Sequence, residues 1–212
     1  RLFVKTVRKF LVNLKRHHNE LYQSLGEVAV RYDERNDGQF AVKPSESSLK
    51  LREVGSDCFL LVEQFKAHEA VVAMTSYQLL VRLLNEQCVV ENAADGTTVT
   101  IKPNKDVPSS SLQSRSDPDA GYSGHKGKGY QMQVMETYSS DKSQPDLITH
   151  VNVEAAHESD AQALLPALED VEARELSPTE LLADSLYGGD ENVEKARKHG
   201  VEVISPTMGE QS

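Results

Sequence analysis

The chain has 212 residues, enough for one large domain or two small ones. Hydrophobic residues make up 38% and charged residues 26%, a balance that favours a globular protein over a disordered one. The net charge is -10, so the chain as a whole lacks the basic surface usual in proteins that hold DNA through its phosphates. DNA is then not the partner, or the basic contacts are local, or they lie on sequence outside this chain.

The cysteines and the lengths of the apolar runs predict the cellular compartment of the protein. Cys58 and Cys88 both fall in stretches predicted to be apolar helix, which favours buried thiols in a reducing cytosol. No run approaches the roughly 20 apolar residues that span a bilayer, and no signal peptide is visible, so we expect a cytoplasmic protein without membrane contact. The chain begins at Arg1 inside a helical pattern and stops just after a predicted strand, so both ends are expected to be internal to a longer protein.

The first helical pattern carries the basic residues. Apolar residues recur at three- and four-residue steps from position 1 to about 34, which predicts one long helix. Its polar face holds the strongly basic stretch of the chain, with Arg8, Lys9, Lys15 and Arg16 as candidate phosphate contacts. A solvated helix face would show the same pattern, so both interpretations stay open.

More helix is predicted after a break. Turn residues at 36–40 and 43–48 interrupt the pattern, and a second helical region is predicted from about 48 to 90, with a break near 75–76. We expect the helices of residues 1–90 to pack as a hairpin or a small bundle, inserted into or N-terminal to the remainder of the fold.

Composition changes between about 91 and 128, where Gly, Ser, Pro, Asp and Lys dominate. One short strand is predicted at 97–103. The run at 106–129 is too long for an ordinary connection, so it is either a disordered linker or a functional loop that crosses a site. The motifs described below favour the functional loop.

The last third, 129–212, alternates between strand and helix patterns. Strands are predicted at 129–138, 146–155, 181–184 and 201–206, and helices at 158–175 and 188–200. The first two strands form a hairpin. The strand at 181–184, the helix at 188–200 and the strand at 201–206 form a βαβ unit with parallel strands. An RNase H-like sheet is assembled in this way. The predicted fold class is therefore α/β, a partial RNase H-like mixed sheet with flanking helices, preceded by an α-helical region.

Asp184 is the candidate catalytic residue and metal ligand. It follows three apolar residues and so ends a predicted buried strand, at the edge where open α/β sheets bind ligands. A carboxylate fixed there can hold a divalent cation. An Asp that merely caps the following turn, or the phospho-acceptor of a receiver-like domain, would show the same local pattern. A receiver domain also needs an earlier acidic pair and a later Lys after a strand, and neither can be placed here.

Two motifs lie in the loop-rich connection. "DPDA" (117–120) favours an extended turn. Asp117 and Asp119 either fix that turn, or one of them lies near the metal or the DNA backbone, with Asp119 as the candidate second metal ligand. "GHKGKG" (124–129) places His125, Lys126 and Lys128 among glycines that allow a phosphate to approach the backbone. A plain flexible loop is the alternative, and the motif is not a Walker loop.

These motifs carry a family resemblance. Residues 116–137 and 181–206 resemble matching segments of DDE transposases from bacterial insertion sequences. In that family a "DPDA" element precedes a "GYQxQ" strand, and a strand ending in "AD" is followed by an aromatic–Gly turn and an "EN" helix start. Residues 150–172 fit the strand and helix between them, so the resemblance covers roughly 109–209, while 1–15 fits more loosely.

The resemblance implies a metal-dependent DNA strand-transfer enzyme with an RNase H-like core. Two Asp and one Glu would hold two divalent ions, Mg²⁺ or Mn²⁺. Asp184 matches the family's second Asp, while the first Asp is expected upstream of Arg1 and the Glu downstream of Ser212. The chain alone is then expected to be inactive, with DNA as its partner and a homo-oligomer in a synaptic complex. The alternative is a degenerate relative that binds DNA or protein without catalysis, which the acidity and the missing ligands favour.

Overall fold

A computed structural model of the chain describes residues 1–33, 40–94, 96–141 and 143–206. The chain forms two compact units, Arg1–Tyr122 and Ser123–Ser212. Each unit is described by itself. Apart from Phe40, the turn predicted at 36–40 lies outside the described residues.

The first unit is mainly helical. Its helices are α1 (Leu2–His17), α2 (Asn19–Gln23), α3 (Glu27–Arg31), α4 (Ser47–Phe65), α5 (Glu69–Val72) and α6 (Thr75–Gln87). The prediction of one long helix to about residue 34 is wrong. The backbone leaves helical geometry at His18, with φ of -142° and ψ of 60°, and again at Gly26, whose φ of 55° suits glycine. The predicted interruptions at 43–48 and near 75–76 are confirmed within a few residues.

The helices surround one apolar core, as the spacing of the apolar residues predicts. Phe3, Val7, Phe10 and Leu14 lie on one face of α1 and are buried. The ring of Phe10 lies 5.8 Å from that of Phe65 on α4 and 5.9 Å from that of Tyr77 on α6. The expected small helical bundle is therefore confirmed for this unit.

A β-hairpin follows α6 directly. It consists of β1 (Cys88–Ala93) and β2 (Gly96–Ile101), paired antiparallel with Cys88 opposite Ile101. The strand predicted at 97–103 is thus confirmed, while the prediction of helix up to Val90 is wrong. Cys88 lies in a strand rather than a helix, although both cysteines are buried as expected. No glycine or proline separates α6 from β1, since only Asn85, Glu86 and Gln87 lie between Leu84 and Cys88, and this hid the boundary.

The connection after β2 packs on α6. Leu112 and Ser111 are buried. The Arg82 guanidinium donates to the carbonyl oxygens of Pro118 at 2.8 Å and Ser110 at 3.0 Å, and Gln87 Nε2 donates to Leu112 O at 2.8 Å. These contacts fit an ordered loop rather than the alternative of a disordered linker.

The second unit has the predicted α/β order. Its elements are β3 (Gly121–Ser123), which crosses the boundary between the units, β4 (Gly127–Glu136), β5 (Ile148–Ala155), α7 (Leu164–Ala173), β6 (Glu180–Leu182), α8 (Asp190–Lys198) and β7 (Glu202–Ile204). The order in the larger sheet is β3–β4–β5, and β4 and β5 form the predicted antiparallel hairpin. The predicted parallel pairing of β6 with β7 is also confirmed. The mixed α/β class is therefore confirmed.

The core of this unit lies between its helices and strands. Leu164 and Leu168 of α7, Ala196 of α8 and Val201 are buried together. Met135, Leu181, Tyr187 and Val203 pack against this core from the strands and the turn before α8. These contacts hold β4, β6 and β7 in one unit, although β6–β7 and β3–β4–β5 are separate sheets among the described residues.

The expectation that β6 is a buried strand is wrong. The side chain of Leu182 is 60% exposed, and Leu181 is only half-buried. Among the described residues β7 is the strand neighbour of β6, so the other edge of β6 has no strand partner there. A strand with one neighbour is less covered than the central strand that its apolar sequence suggested.

Among the described residues, no helix is long and apolar enough to cross a membrane.

Candidate active site around Asp184

Asp184 lies in the turn that joins β6 to α8. Its carboxylate is exposed, and Oδ1 accepts a hydrogen bond from the Leu186 amide at 2.9 Å. Two backbone bonds close the same turn, from the Tyr187 amide to Asp184 O at 3.2 Å and from the Gly188 amide to Ser185 O at 3.3 Å. The turn-capping role weighed for Asp184 is therefore present. The capping hydrogen bond uses Oδ1 and does not exclude a second role for the carboxylate.

Gly188 brings this turn against the segment that follows β7. A Cβ atom at position 188 would lie 1.7 Å from Ser205 Oγ and 2.8 Å from Ser205 Cβ. Rotation of the Ser205 hydroxyl would relieve the first contact, but Ser205 Cβ is fixed to the backbone. The neighbouring Gly189 has no heavy atom within 4 Å of its own Cβ position. The two glycines therefore have different roles, although they are adjacent in sequence.

We expect Gly188→Ala to lower the free energy of unfolding by about 1–3 kcal/mol, because the methyl group overpacks the contact with Ser205. Gly189→Ala is the matched control and should cost less than about 1 kcal/mol, since it only weakens the N-cap of α8. Urea unfolding followed by circular dichroism would measure both. Equal effects of the two substitutions would contradict the close contact at Gly188.

Tyr187 links the turn to β4. Its hydroxyl donates a hydrogen bond to Gln133 Oε1 at 2.6 Å, and its ring packs against the core of the unit. Burial raises the pKa of the Tyr187 hydroxyl, and the negative charges of Asp160, Asp184 and Glu154 raise that pKa further. The hydroxyl therefore stays protonated and can keep donating.

Gln133 belongs to a group of polar side chains on one face of β4, the glutamine network. Gln131 and Gln133 point to the same face because they are two residues apart on a strand. Gln131 Nε2 and Gln133 Nε2 donate to Glu154 Oε1 at 2.6 Å and 3.1 Å. Gln133 Nε2 also lies 3.0 Å from Asp160 Oδ1. The members of the network are Lys126, Gln131, Gln133, Glu154, Asp160 and Tyr187.

Lys126 is the positively charged member of the glutamine network. Its ammonium group donates to Asp160 Oδ1 at 2.9 Å and Oδ2 at 3.1 Å, and also to the side chain of Gln131. The hydrogen bond from Lys126 holds the pKa of the Asp160 carboxyl below its usual range, with a further contribution from Gln133, against the opposing effect of burial. Lys126, predicted as a phosphate contact, is thus bound within its own unit.

The β3–β4 turn carries the other predicted residues of "GHKGKG". His125 and Lys128 are exposed, and the amides of His125 and Lys126 donate to Ser123 Oγ at 3.4 Å and 3.3 Å. Gly127 and Gly129 have φ of 84° and 134°, values that other residues rarely adopt. The turn therefore accounts for these two glycines without a bound phosphate.

The basic residues of α1 lie in the first unit. Lys9, Lys15 and Arg16 are exposed. Arg8 is half-buried; its Nε donates to Tyr32 O at 3.2 Å, and its guanidinium lies 5.3 Å from the centre of the Phe40 ring. Arg8 thus packs on its own unit. Lys15 is exposed but its Nζ lies 5.2 Å from the centre of the Tyr22 ring, whereas Lys9 and Arg16 are exposed.

The predicted metal ligands lie in different units. Asp119 is exposed in the loop that packs on α6, and Asp184 lies in the second unit. Among the described residues, no group of three or more His, Cys, Asp or Glu side chains is arranged to hold a metal ion. The described side chains therefore do not form a complete metal centre, and the role of Asp184 as one ligand stays a prediction.

The glutamine network was missed by the sequence interpretation. The pattern "GYQMQ" predicts a strand, but it does not reveal that the two glutamines face Glu154 and Asp160. The sequence favours Asp160 as a helix-start residue and leaves a ligand-side position at a strand end open; Asp160 does begin the 3₁₀ turn before α7. The alternation of Gln131 and Gln133 with Tyr130 and Met132 was the available signal, since it places two amides on one face of a strand.

Comparison with protein families identifies the class. The family described as "Transposase DDE domain" matches residues 88–212, which is more than half of the chain. The chain belongs to this family. No curated protein and no solved structure matches it. The match begins at β1, so this insertion-sequence transposase family includes the β1–β2 hairpin, which lies before the segment near 109 where the sequence resemblance began.

Membership confirms the RNase H-like α/β class and the assignment to DDE transposases. DDE transposases are DNA-cleaving recombinases that use divalent metal ions, so DNA is the substrate class that the family implies. The family match covers the whole of the second unit as well as the end of the first. Asp184 and the glutamine network therefore both lie inside the DDE domain.

Proposed function

We propose that the protein containing this chain cleaves DNA and transfers strands during transposition, with Asp184 as one of its metal-binding carboxylates. The observation that carries the proposal is the position of Asp184 within the DDE domain, exposed at the carboxyl end of β6 and fixed by the turn before α8. Ligands bind at this edge of α/β sheets, because the strand ends and following turns converge there.

The metal site is completed by residues beyond those described. Among the described residues β7 is the strand neighbour of β6, and β3 covers only part of the ten-residue β4, so the proposal adds a further strand beside β6 and β4. Such a strand would carry the first Asp, and a later helix would supply the Glu. Oxygen ligands suit Mg²⁺ or Mn²⁺, which would activate the attacking hydroxyl group and stabilise the leaving oxygen. Asp119 stays a proposed accessory ligand, and the chain alone is expected to be inactive.

The proposed DNA contacts are local, as the net charge of -10 requires. His125 and Lys128 lie exposed in the β3–β4 turn of the DDE domain. Lys126 would have to leave Asp160 to reach a phosphate, so its contact with DNA is weaker in this proposal. Lys9, Lys15 and Arg16 form a second exposed basic group on α1, whereas Arg8 supports the position of the helix.

Replacing Lys9, Lys15 or Arg16 singly by Gln should reduce the slope of log binding constant against log salt concentration by about 0.9, the value for one phosphate contact. Fluorescence anisotropy with the full-length protein and labelled duplex DNA would measure the slope. Lys105→Gln, at an exposed lysine outside α1, is the control and should leave the slope unchanged. Unchanged slopes in all three α1 variants would show that this face of α1 does not contact DNA phosphates and is only a solvated surface.

A cleavage assay tests the proposed function. Full-length protein should nick or join DNA that carries the ends of its own element when Mg²⁺ or Mn²⁺ is added, and EDTA should stop the reaction. The second candidate, a relative that binds DNA or protein without catalysis, is favoured by the net charge and by the absence of a complete metal centre among the described residues. Binding of the same DNA ends without cleavage would support that candidate and contradict the first.

A further inference from the structure

We propose that the hydrogen bond from Tyr187 to Gln133 positions Asp184, so that Tyr187 and Gln133 are positioning residues for DNA cleavage. This inference rests on the proposed function, because it assigns their role relative to the Asp184 carboxylate. It concerns residues that touch neither metal nor DNA in the proposal, and it follows from three features of the second unit.

The first feature is the weak restraint that β6 itself gives to Asp184. The strand has three residues, it pairs with β7, and its Leu182 is 60% exposed. Asp184 is the second residue after β6 and lies beyond the strand pairing. The pairing ends with the bond from the Ala183 amide to Ile204 O at 3.0 Å, so it gives Asp184 little support toward the fraction of an ångström that catalysis requires. The turn therefore needs a second attachment.

The second feature is the turn, which joins Asp184 and Tyr187 into one unit. The Leu186 amide binds the Asp184 carboxylate, and the Tyr187 amide binds the Asp184 carbonyl. Because these bonds fix the two residues relative to one another, an attachment made by the Tyr187 side chain is transmitted to Asp184. Gly188 lies so close to Ser205 that no Cβ atom fits between them, which places this turn directly beside the segment after β7.

The third feature is the rigidity of the acceptor. Gln133 lies in the middle of β4, opposite Asn152 of β5. Its Nε2 donates to Glu154 and Asp160, which orients Oε1 toward the Tyr187 hydroxyl. Lys126 in turn holds Asp160. The glutamine network thus fixes the direction of the Tyr187 hydrogen bond that attaches the turn to β4.

A phenol suits this attachment for an electrostatic reason. The Tyr187 hydroxyl lies near the charges of Asp160, Asp184 and Glu154, and a neutral donor joins this acidic region without adding charge. The Tyr187–Gln133 hydrogen bond also does not involve the Asp184 carboxylate. The turn is fixed through one side chain, while the carboxylate next to it stays exposed.

The test uses full-length protein with Tyr187→Phe, Gln133→Met and the double variant. Tyr138→Phe, at a tyrosine that is 72% exposed, is the matched control for loss of a hydroxyl. Two quantities are measured: the rate constant of Mg²⁺-dependent cleavage at saturating DNA, and hydrogen exchange of the peptide 183–189 by mass spectrometry. DNA affinity and the thermal midpoint are recorded to separate positioning from folding.

We expect Tyr187→Phe to accelerate exchange in the turn about fivefold and to lower the cleavage rate constant about tenfold, with DNA affinity unchanged. The Mg²⁺ concentration for half-maximal cleavage should rise, because a displaced carboxylate binds the ion less well. Gln133→Met also loses the bonds from Gln133 Nε2 to Glu154 and Asp160, so it should be the more affected single variant. The double variant should be no worse than Gln133→Met, since the Tyr187–Gln133 bond is already absent there. Tyr138→Phe should change neither quantity.

Other outcomes overturn the inference. Unchanged exchange in Tyr187→Phe would show that the bond does not hold the turn, whatever the cleavage assay gives. Faster exchange with an unchanged cleavage rate, in an assay where Asp184→Asn is inactive, would show that Asp184 does not depend on this attachment. If the unmodified protein does not cleave DNA, the proposed function fails and the catalytic role of Tyr187 fails with it. The exchange data then still decide whether Tyr187 attaches the turn to β4.

Discussion

Asp184→Asn should reduce Mg²⁺-dependent DNA cleavage by the full-length protein by at least roughly a thousandfold, because loss of an essential group in an active site has effects of this size or larger. The Asn side chain keeps an oxygen that can accept from the Leu186 amide, so the turn should persist. It loses the negative charge that a divalent cation needs. DNA binding measured without cleavage should stay within about threefold of the unmodified protein, a change of less than 1 kcal/mol.

Asp190→Asn provides the matched control for this experiment. Asp190 is an exposed acid six residues later, at the start of α8. Its loss should weaken only the favourable interaction with the helix dipole, at most about 1 kcal/mol, and leave the cleavage rate nearly unchanged. Full activity of Asp184→Asn would remove Asp184 from the metal site. Equal losses in both variants would point to a general effect of acidic residues around α8.

The second large effect is on stability and concerns the buried carboxylate of Asp57. This side chain lies on α4 with 5% of its surface exposed. Arg31 Nη1 donates to its oxygens at 2.7 Å and 3.0 Å, and the Tyr32 hydroxyl donates to Oδ2 at 2.8 Å. Burial and the charge of Asp57 hold the pKa of Tyr32 well above its usual range, so this hydroxyl remains a donor. The cluster ties the short α3 to α4.

Arg31→Met should lower the free energy of unfolding by about 3 kcal/mol, because it leaves the Asp57 charge buried with only part of its compensation. Urea unfolding followed by circular dichroism would measure the loss. Lys66→Met is the control: it breaks the exposed pair with Glu63 and should cost less than about 1 kcal/mol.

Arg31→Met combined with Asp57→Leu separates a missing contact from an uncompensated charge. The double variant should recover part of the stability lost in Arg31→Met, since it removes the buried charge. An Arg31→Met protein as stable as Lys66→Met would show that Asp57 does not depend on Arg31. No recovery in the double variant would assign the loss to packing instead.

The sequence was sufficient where short-range patterns determine the structure. The alternation in "GYQMQVMET" and "ITHVNVEA" predicted β4 and β5. The apolar run before Asp184 predicted β6, and the strand–helix–strand order predicted its parallel pairing with β7. Gly200, with a φ of 74°, follows α8 in the position expected for a helix stop. The resemblance to DDE transposases also depended on local motifs, and the family match confirms it.

The sequence was insufficient where the structure depends on distant residues. The helical period continued across His18 and Gly26, and only the backbone geometry shows that the first helix ends at His17. The change from α6 to β1 at Cys88 was hidden because β1 is defined by its pairing with β2. The glutamine network could not be predicted, since it joins residues up to 54 positions apart, such as Tyr187 and Gln133.

The contact between Gly188 and Ser205 also predicts a pattern of natural variation. A hydrogen atom is the largest substituent that fits at position 188 while the Cβ atom of residue 205 stays where it is. Homologues with a side chain at position 188 must therefore shift the backbone or carry glycine at position 205. Positions 188 and 205 should covary, although they are 17 positions apart in the sequence, whereas position 189 should vary independently of position 205.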